Sequence, residues 1–187
     1  MSTFFHAPDY HVYALDPKHL PRVVKLAVTQ LKRRKIDAIA ATGISGLIVA
    51  GAVSAATGIP VMAVRRKGEK AHNCDRVSFV GHKKVRRWAF IDDLIDSGKT
   101  LYHVIDQVYL MSARGGWDIP MFPAVALLYD LSDGAIEDAG EWTEESGYLW
   151  NDKKFVVPAV NRVSKTKGFR IPMVSIMPRA DKYHRPY

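Results

Sequence analysis

The sequence predicts an α/β domain in which helices cover both faces of a mostly parallel central sheet. Short apolar runs typical of buried strands alternate with segments of helical spacing, and most connections between them are short. The 187 residues fit one domain of ordinary size. Apolar residues at 48% and charged residues at 25% are typical of a chain that buries a core. We therefore treat residues 1–187 as a single domain.

The first half of the chain opens with a predicted helix, after which predicted strands and helices alternate. Asp16-Pro17 is typical of a helix start, and apolar residues follow on one face at helical spacing: Leu20, Val23, Val24, Ala27 and Leu31. The apolar run at residues 36–41 predicts a buried strand, which residues 42–46 interrupt. Small residues at 47–56 predict a second helix, and Gly58-Ile59-Pro60 leads into a strand at 61–64.

The second half contains a long polar connection at residues 65–87. It is followed by a strand at 88–91, a helix at 98–111 and a strand at 124–129. After Asp130 the alternation weakens, and we expect only short strands at 155–157 and 173–176. Ligands of such sheets bind beyond the carboxyl ends of the strands. That rule makes three segments candidates for a site, at residues 42–46, 65–70 and 92–100.

Composition excludes several classes of protein. Cys74 is the single cysteine, so the chain forms no internal disulfide and no cysteine-rich metal site. No apolar run approaches the roughly 20 residues that span a bilayer. The first ten residues lack the basic and apolar regions of a signal peptide. The seven histidines show no metal-ligand spacing, which argues against a zinc site. We expect a cytoplasmic protein without a membrane partner.

The net charge of +8 is unevenly distributed. Residues 1–150 hold 18 basic and 17 acidic side chains, whereas residues 151–187 hold 9 and 2. Residues 65–87 carry nine basic side chains, and residues 130–145 carry seven acidic ones. A protein that binds nucleic acid over a whole face spreads its positive charge more evenly. The two basic segments indicate focused binding of anions, with solvated loops and a solubilising tail as the alternative.

The segment at residues 90–100, Phe-Ile-Asp-Asp-Leu-Ile-Asp-Ser-Gly-Lys-Thr, is the most informative. A hydrophobic strand ends in two carboxylates, and a short loop then opens a helix. Backbone N–H groups at a helix start, with Gly98 allowing close approach, suit a phosphate. Carboxylates beside a phosphate would repel it if they faced it, so Asp92 and Asp93 suit neighbouring hydroxyls, such as those of a ribose, or a hydrated cation.

Two other interpretations fit this segment less well. A P-loop requires a glycine five positions before Gly98, and Asp93 stands there instead. A simple helix cap explains Ser97 or Asp96, but it does not explain two acids at the end of a strand followed by Ser-Gly-Lys-Thr.

The segment resembles the phosphoribosyl-pyrophosphate (PRPP) signature of type I phosphoribosyltransferases, most closely in the hypoxanthine-guanine branch. Residues 37–46 and 58–68 resemble the equivalent stretches of adenine phosphoribosyltransferases. The resemblance covers about residues 16–130, and it implies that residues 131–187 form a small variable hood or tail. The signature is specific for PRPP and much less specific for the acceptor base.

The resemblance implies a role for each matching residue. Asp92 and Asp93 would hold the ribose hydroxyls of PRPP, with Mg²⁺ close by. The 5′-phosphate would lie against Asp96, Ser97, Gly98, Lys99 and Thr100. The pyrophosphate would contact Thr42, Gly43, Ile44, Ser45, Gly46, Arg65, Arg66 and Lys67. Asp96 also matches the acid that lies near the attacking nitrogen of a purine, so the implied catalytic residues are Asp96, Arg66 and Lys67.

Two further features follow from the resemblance, a cis peptide and a dimer, and a third follows from the basic charge of the long polar connection. Family members often have a non-proline cis peptide in the pyrophosphate loop, here the Ile44–Ser45 bond, at a cost of roughly 3–4 kcal/mol. We predict that the basic segment 70–87 closes as a lid over PRPP and excludes water. An ordinary exposed loop is the alternative. The family also implies a homodimer.

The acceptor base is predicted from the second half of the chain. Residues 152–157 resemble a hood segment in which an aromatic side chain stacks on the purine, which implies base contacts from Phe155 and Val156; a core Phe in a short strand is the alternative. Asp130 aligns with a lysine that donates to a 6-oxo group. An acceptor there favours an exocyclic amine, as in adenine. Asp130 also begins the acidic run, which is its other interpretation.

The sequence therefore predicts Mg²⁺-dependent transfer of a phosphoribosyl group from PRPP to a nucleobase in purine salvage, with a nucleoside monophosphate and pyrophosphate as products. The alternative is a regulatory protein that senses PRPP and binds nucleic acid through its basic C-terminal tail. The acid at Asp96 favours the enzyme, because a sensor needs no acid at the attacking nitrogen.

Overall fold

The computed structural model describes residues 16–69, 76–93, 95, 98–129, 149–151, 154–157 and 169–176; the side chains of 149–151, 154–157, 169–170 and 175 are not described. Its helices are Leu20–Arg34 (α1), Gly43–Thr57 (α2) and Lys99–Gly115 (α3). Its strands are Ala38–Thr42 (β1), Val61–Val64 (β2), Val77–Phe79 (β3), Trp88–Asp92 (β4), Val125–Leu128 (β5), Leu149–Asn151 (β6), Lys154–Val157 (β7) and Phe169–Ser175 (β8). They form one sheet in the order β3-β2-β1-β4-β5-β8-β7-β6.

The middle of this sheet is parallel and buried on both faces. Strand β1 pairs in parallel with β2 and β4, and all five residues of both β1 and β4 are buried. Alternate residues of β1 enter two separate hydrophobic clusters. Ala38 and Ala40 join the cluster that includes Leu101 of α3, whereas Ile39 and Ala41 join the cluster that includes Val23 of α1. Helices therefore cover both faces, and the predicted α/β class is confirmed.

The first two helices differ from the prediction at their starts. Helix α1 begins at Leu20, because Asp16 closes a turn before it: its carboxylate accepts hydrogen bonds from the Lys18 N–H at 2.8 Å and from His19 Nδ1 at 2.7 Å. Helix α2 begins at Gly43, not at residue 47. Gly43 has φ of +70°, a left-handed conformation that turns the chain from β1 directly into the helix. The predicted loop at 42–46 is thus the end of β1 and the first turn of α2.

The long connection after β2 is shorter and better anchored than predicted. Strand β3 pairs antiparallel with β2, so that Val64 lies opposite Val77. Further on, the Val85 N–H donates to the Asp118 carbonyl at 2.8 Å, and the Val85 side chain is buried. The prediction that all of residues 70–87 form a lid is therefore wrong for 76–87, which these contacts tie to the domain. Residues 70–75 lie outside the described part.

The C-terminal strands extend the same sheet. Strand β8 pairs in parallel with β5, and the β6–β7 hairpin continues antiparallel beyond it. The strands expected near 155–157 and 173–176 are both present. Within the described residues, no helix has the length and apolar character needed to cross a membrane.

Candidate active site

The site is positioned by a reversal in strand order. From β1 the chain crosses to β2 on one side, and it later returns to β4 on the other side of β1. Such a reversal opens a crevice at the carboxyl ends of the two diverging strands, where ligands of open α/β sheets bind. Thr42 ends β1 and Asp92 ends β4, so the segments that follow them meet at this crevice.

Gly46 of α2 sets the width of the crevice. A Cβ placed on Gly46 would lie 3.0 Å from the Ile91 carbonyl oxygen and 3.3 Å from Asp92 Oδ1. Glycine therefore lets the start of α2 approach the end of β4 to a distance that a side chain would increase. The neighbouring Ser45 is buried, whereas Ile44 is 68% exposed. The expected cis peptide is not found: the Ile44–Ser45 bond is trans and lies within the first turn of α2, which begins directly after β1.

Asp92 is a buried carboxyl group, only 5% exposed, at the floor of the crevice. Burial and the adjacent Asp93 charge raise its pKa well above the ordinary value, and a hydrogen bond between the two carboxyl groups raises it further. The Asp93 N–H, which donates to Asp92 Oδ1 at 3.1 Å, and the Arg66 charge act in the opposite direction. Such a pair is suited to ligand hydroxyls or to a hydrated cation, either of which offsets the cost of burial.

Helix α3 begins beside this carboxyl pair. Gly98 is its N-cap, and no side chain caps its first N–H groups in the described structure. Lys99 and Thr100 form the exposed start of the helix. Unsatisfied N–H groups at a helix start favour an anion. Asp96 and Ser97, which the sequence places in the same loop, lie outside the described residues.

Arg65, after β2, is held at its backbone from two directions. Its N–H donates to the Arg76 carbonyl at 2.9 Å, and its carbonyl accepts a hydrogen bond from His103 Nε2 at 2.8 Å. The Arg65 Nε is buried and has no hydrogen-bond partner in the described structure, and the same holds for Thr42 Oγ1. Sequence reasoning missed His103, which connects α3 to the end of β2. A side chain that binds a backbone carbonyl leaves no motif in the sequence.

Arg66, which follows Arg65 after β2, places a positive charge at the crevice. Its guanidinium lies directly against Gly43, in the space that a Cβ there would occupy. Its backbone forms a turn with Glu69, in which the Arg66 N–H donates to Glu69 Oε2 at 3.1 Å. Lys67 is exposed in the same turn. The Arg66 guanidinium thus lies against Gly43, and its charge acts on Asp92.

Of the residues predicted to contact the base, the structure gives only the backbone positions of Phe155 and Val156. Phe155 and Val156 lie in β7, opposite Ile171 and Arg170 of β8. Strand β7 is the third strand from β4, which places it about 14 Å across the sheet. Asp130 lies outside the described residues. Base contacts by these three residues remain predictions.

The donor set of the crevice fits magnesium better than zinc. Within the described residues, no group of three or more His, Cys, Asp or Glu side chains is arranged to hold a metal ion. Mg²⁺ is commonly bound by one or two carboxylates and completes its shell with water and substrate phosphates. Asp92 and Asp93 supply such a pair of oxygen donors.

Solved structures share this fold. UMP synthase of Leishmania donovani is 16% identical to this chain, with a TM-score of 0.54. The match covers 92% of this chain and 30% of the UMP synthase chain. Orotate phosphoribosyltransferase of Mycobacterium tuberculosis H37Rv, in complex with inorganic phosphate, is 14% identical with a TM-score of 0.53. The match covers 91% of this chain and 76% of the orotate enzyme. Orotate phosphoribosyltransferase of Aeropyrum pernix is 15% identical with a TM-score of 0.52, and the match covers 89% of this chain and 75% of that enzyme.

The chain therefore has the fold of these phosphoribosyltransferases, and the fold that its sequence resemblance implies is confirmed. It spans 30% of the length of the UMP synthase. No protein-family model matches the sequence, and no curated protein matches it.

Proposed function

We propose that this protein transfers the phosphoribosyl group of PRPP to a nucleobase and releases pyrophosphate. The observation that carries the proposal is the meeting of three elements at the strand-order reversal. The Asp92–Asp93 carboxyl pair, the start of α3, where no described side chain caps the helix, and the Arg66 guanidinium against Gly43 line one crevice. A sugar with a phosphate on one side and a pyrophosphate on the other requires hydroxyl binding between two anion sites.

In the proposed reaction a base nitrogen forms a bond to the sugar C1′ as the bond from C1′ to the pyrophosphate oxygen breaks. Positive charge develops on the sugar, and negative charge develops on the leaving group. In this proposal, Arg65, Arg66 and Lys67 would supply positive charge to that leaving group, which is electrostatic stabilisation of the transition state. Asp92 and Asp93 orient the ribose, which is positioning. Bound Mg²⁺ would add positive charge beside the pyrophosphate, held by the same two carboxylates.

Asp96 completes the proposed chemistry. Its carboxylate would accept a proton from the attacking base, or hydrogen-bond to it, as the base loses electron density to the new bond. In the sequence, Asp96 follows Ile95, which is buried against the core, and precedes Gly98, the N-cap of α3. The acid therefore belongs to the loop that joins the carboxyl pair to the phosphate-binding helix start.

For the acceptor we propose a purine with an exocyclic amine, such as adenine. The support is Asp130, an acceptor that follows β5 in sequence where a lysine would favour a 6-oxo group. Two of the solved structures with this fold are named as orotate enzymes, so orotate is the main competitor. A cytoplasmic homodimer is part of the same proposal and rests on the sequence resemblance alone.

The test is pyrophosphate release with PRPP and Mg²⁺ over a panel of adenine, hypoxanthine, guanine, xanthine, orotate, uracil and nicotinamide. We expect turnover with one base, its loss in Asp93→Asn, and normal turnover in Asp106→Asn. Asp106 is an exposed carboxylate on α3 and serves as the matched control. Turnover with orotate alone would overturn the amino-purine assignment and keep the transferase. PRPP binding without turnover of any base would favour a PRPP sensor.

A further inference from the structure

A second charged surface lies at the opposite end of the sheet from the candidate active site. Basic residues lie at the end of helix α1 and in the segment before β4. We call them the amino-end basic surface: Lys32, Arg33, Arg34, Lys35, Lys83, Lys84, Arg86 and Arg87. All are exposed except Arg34, which is partly buried. Strand β4 separates Arg87 from Asp92, a distance of about 16 Å along the strand. The surface therefore plays no part in the proposed PRPP site.

Hydrogen bonds hold the two basic segments against each other. Asp37 Oδ2 accepts from the Arg86 N–H at 2.9 Å, and Oδ1 accepts from the Arg87 N–H at 3.0 Å. The Asp37 N–H also donates to the Arg87 carbonyl at 2.9 Å. Further along, the Asp118 N–H donates to the Lys83 carbonyl at 2.8 Å. The charges thus project from a backbone that is already ordered, which lowers the entropic cost of binding a partner.

Within the described part of the chain, the hydrogen bonds and ion pairs of this surface involve two carboxylates, Asp37 and Asp118, against eight cations. Asp118 pairs with Lys84 at 3.3 Å, and Asp37 directs both carboxylate oxygens to backbone N–H groups. Burial lowers the pKa of the Arg34 guanidinium, and the nearby charges of Arg33 and Arg87 lower it further. The end of α1 favours cations through its dipole, which accounts for Lys32, Arg33 and Arg34. It does not account for the basic residues before β4, which follow no helix.

We propose that the amino-end basic surface binds duplex nucleic acid through its phosphate backbone. A row of phosphates matches cations spread over two ordered segments better than a single small anion does. Four of the eight residues are arginines, whose planar guanidinium suits phosphate oxygens. Residues 32–37 and 83–87, which carry these cations, include no aromatic residue, so the two segments lack the stacking groups that single strands use. Binding of this kind is independent of the base sequence.

The test measures fluorescence anisotropy of labelled 24-base-pair DNA and RNA duplexes with the full chain, at several salt concentrations. We expect Arg33→Gln/Arg87→Gln to bind roughly tenfold more weakly, with the slope of log K against log salt reduced by about 2. Lys18→Gln/Lys25→Gln removes the same charge from exposed positions before and on α1, and it should bind like the wild type. Equal far-UV circular dichroism and equal PRPP binding by all three proteins would show that they are folded alike.

Two results would overturn the proposal. One is a wild-type protein that binds neither duplex at 50 mM salt. The other is undiminished binding by the Arg33→Gln/Arg87→Gln variant, which would assign nucleic-acid binding to another part of the chain, such as the basic C-terminal segment. Binding of one duplex only, with the expected loss in that variant, supports the proposal and identifies the nucleic acid as DNA or RNA.

Discussion

Gly46 and Asp92 lie against each other across the crevice: a Cβ on Gly46 would lie 3.3 Å from Asp92 Oδ1, a tight contact that glycine avoids. The contact joins the first turn of α2 to the end of β4, the two elements that diverge at the strand-order reversal. The width of the crevice therefore depends on the absence of one side chain.

Replacing Gly46 with Ala should weaken PRPP binding by tenfold or more. The new Cβ would lie 3.0 Å from the Ile91 carbonyl oxygen, so α2 or the end of β4 must shift by a few tenths of an ångström. Small displacements of binding groups have large effects on affinity and rate. Calorimetric titration with PRPP measures the loss. Gly51→Ala is the matched control, since Gly51 is exposed on the same helix with open space around it. We expect it to stabilise the protein by about 0.5–1 kcal/mol and to bind PRPP normally. Equal binding by both variants would contradict the prediction.

Asp92→Asn should raise the thermal stability of the ligand-free protein while abolishing PRPP binding. The raised pKa means that folding disfavours the ionised carboxylate. In the unfolded chain this group ionises above about pH 3.9. The wild type therefore loses stability as pH rises from that value to the folded pKa, and the loss is constant beyond it. Asn does not titrate, so its advantage in melting temperature should be small near pH 4 and larger at pH 7.

The pH series distinguishes this effect from simple repacking. If Asn merely packs better than Asp, the gain in melting temperature would be the same at every pH. If Asp92→Asn melts below the wild type at pH 7, Asp92 stabilises the free protein. Asp106→Asn, at an exposed position on α3, should change neither the melting temperature nor its pH dependence.

His103 should act as a positioning residue for Arg65. Its Nε2 donates to the Arg65 carbonyl, and losing a hydrogen bond of this kind costs about 1 kcal/mol. We expect His103→Ala to raise the KM for PRPP by roughly fivefold to tenfold with a smaller change in kcat. His103→Gln, which retains an N–H donor, should recover most of the affinity. A loss of equal size in both variants would assign His103 to packing alone.

How far the sequence predicts this structure depends on whether a feature is local. Strands β1 and β4 and the carboxyl pair at Asp92 were predictable, because a buried apolar run ending in acids is a pattern of consecutive residues. The start of α2 at Gly43 was not, since the residues that form its first turn also suit a loop. The anchoring of residues 76–87 was missed because it depends on contacts with Asp37 and Asp118, which are distant in sequence. The position of β8 beside β5 follows from packing of the whole sheet.

Asp37 should contribute to stability out of proportion to its partial exposure. Its two carboxylate oxygens accept the backbone N–H groups of Arg86 and Arg87, and hydrogen bonds to charged groups are each worth about 1.5–3 kcal/mol. We expect Asp37→Ala to lower the free energy of unfolding by about 2–4 kcal/mol in urea denaturation. Asp37→Asn retains one acceptor and should lose about half as much.

The same substitution should loosen the segment before β4. In Asp37→Ala the N–H groups of both Arg86 and Arg87 lose their acceptor, whereas the residue-37 N–H still donates to the Arg87 carbonyl. Hydrogen exchange of the Arg86 and Arg87 amides should therefore accelerate in Asp37→Ala, while that of the Ala89 amide, in the middle of β4, changes only with global stability. Unchanged exchange at both arginines, together with an unchanged free energy of unfolding, would show that β1 and β4 hold this segment without Asp37.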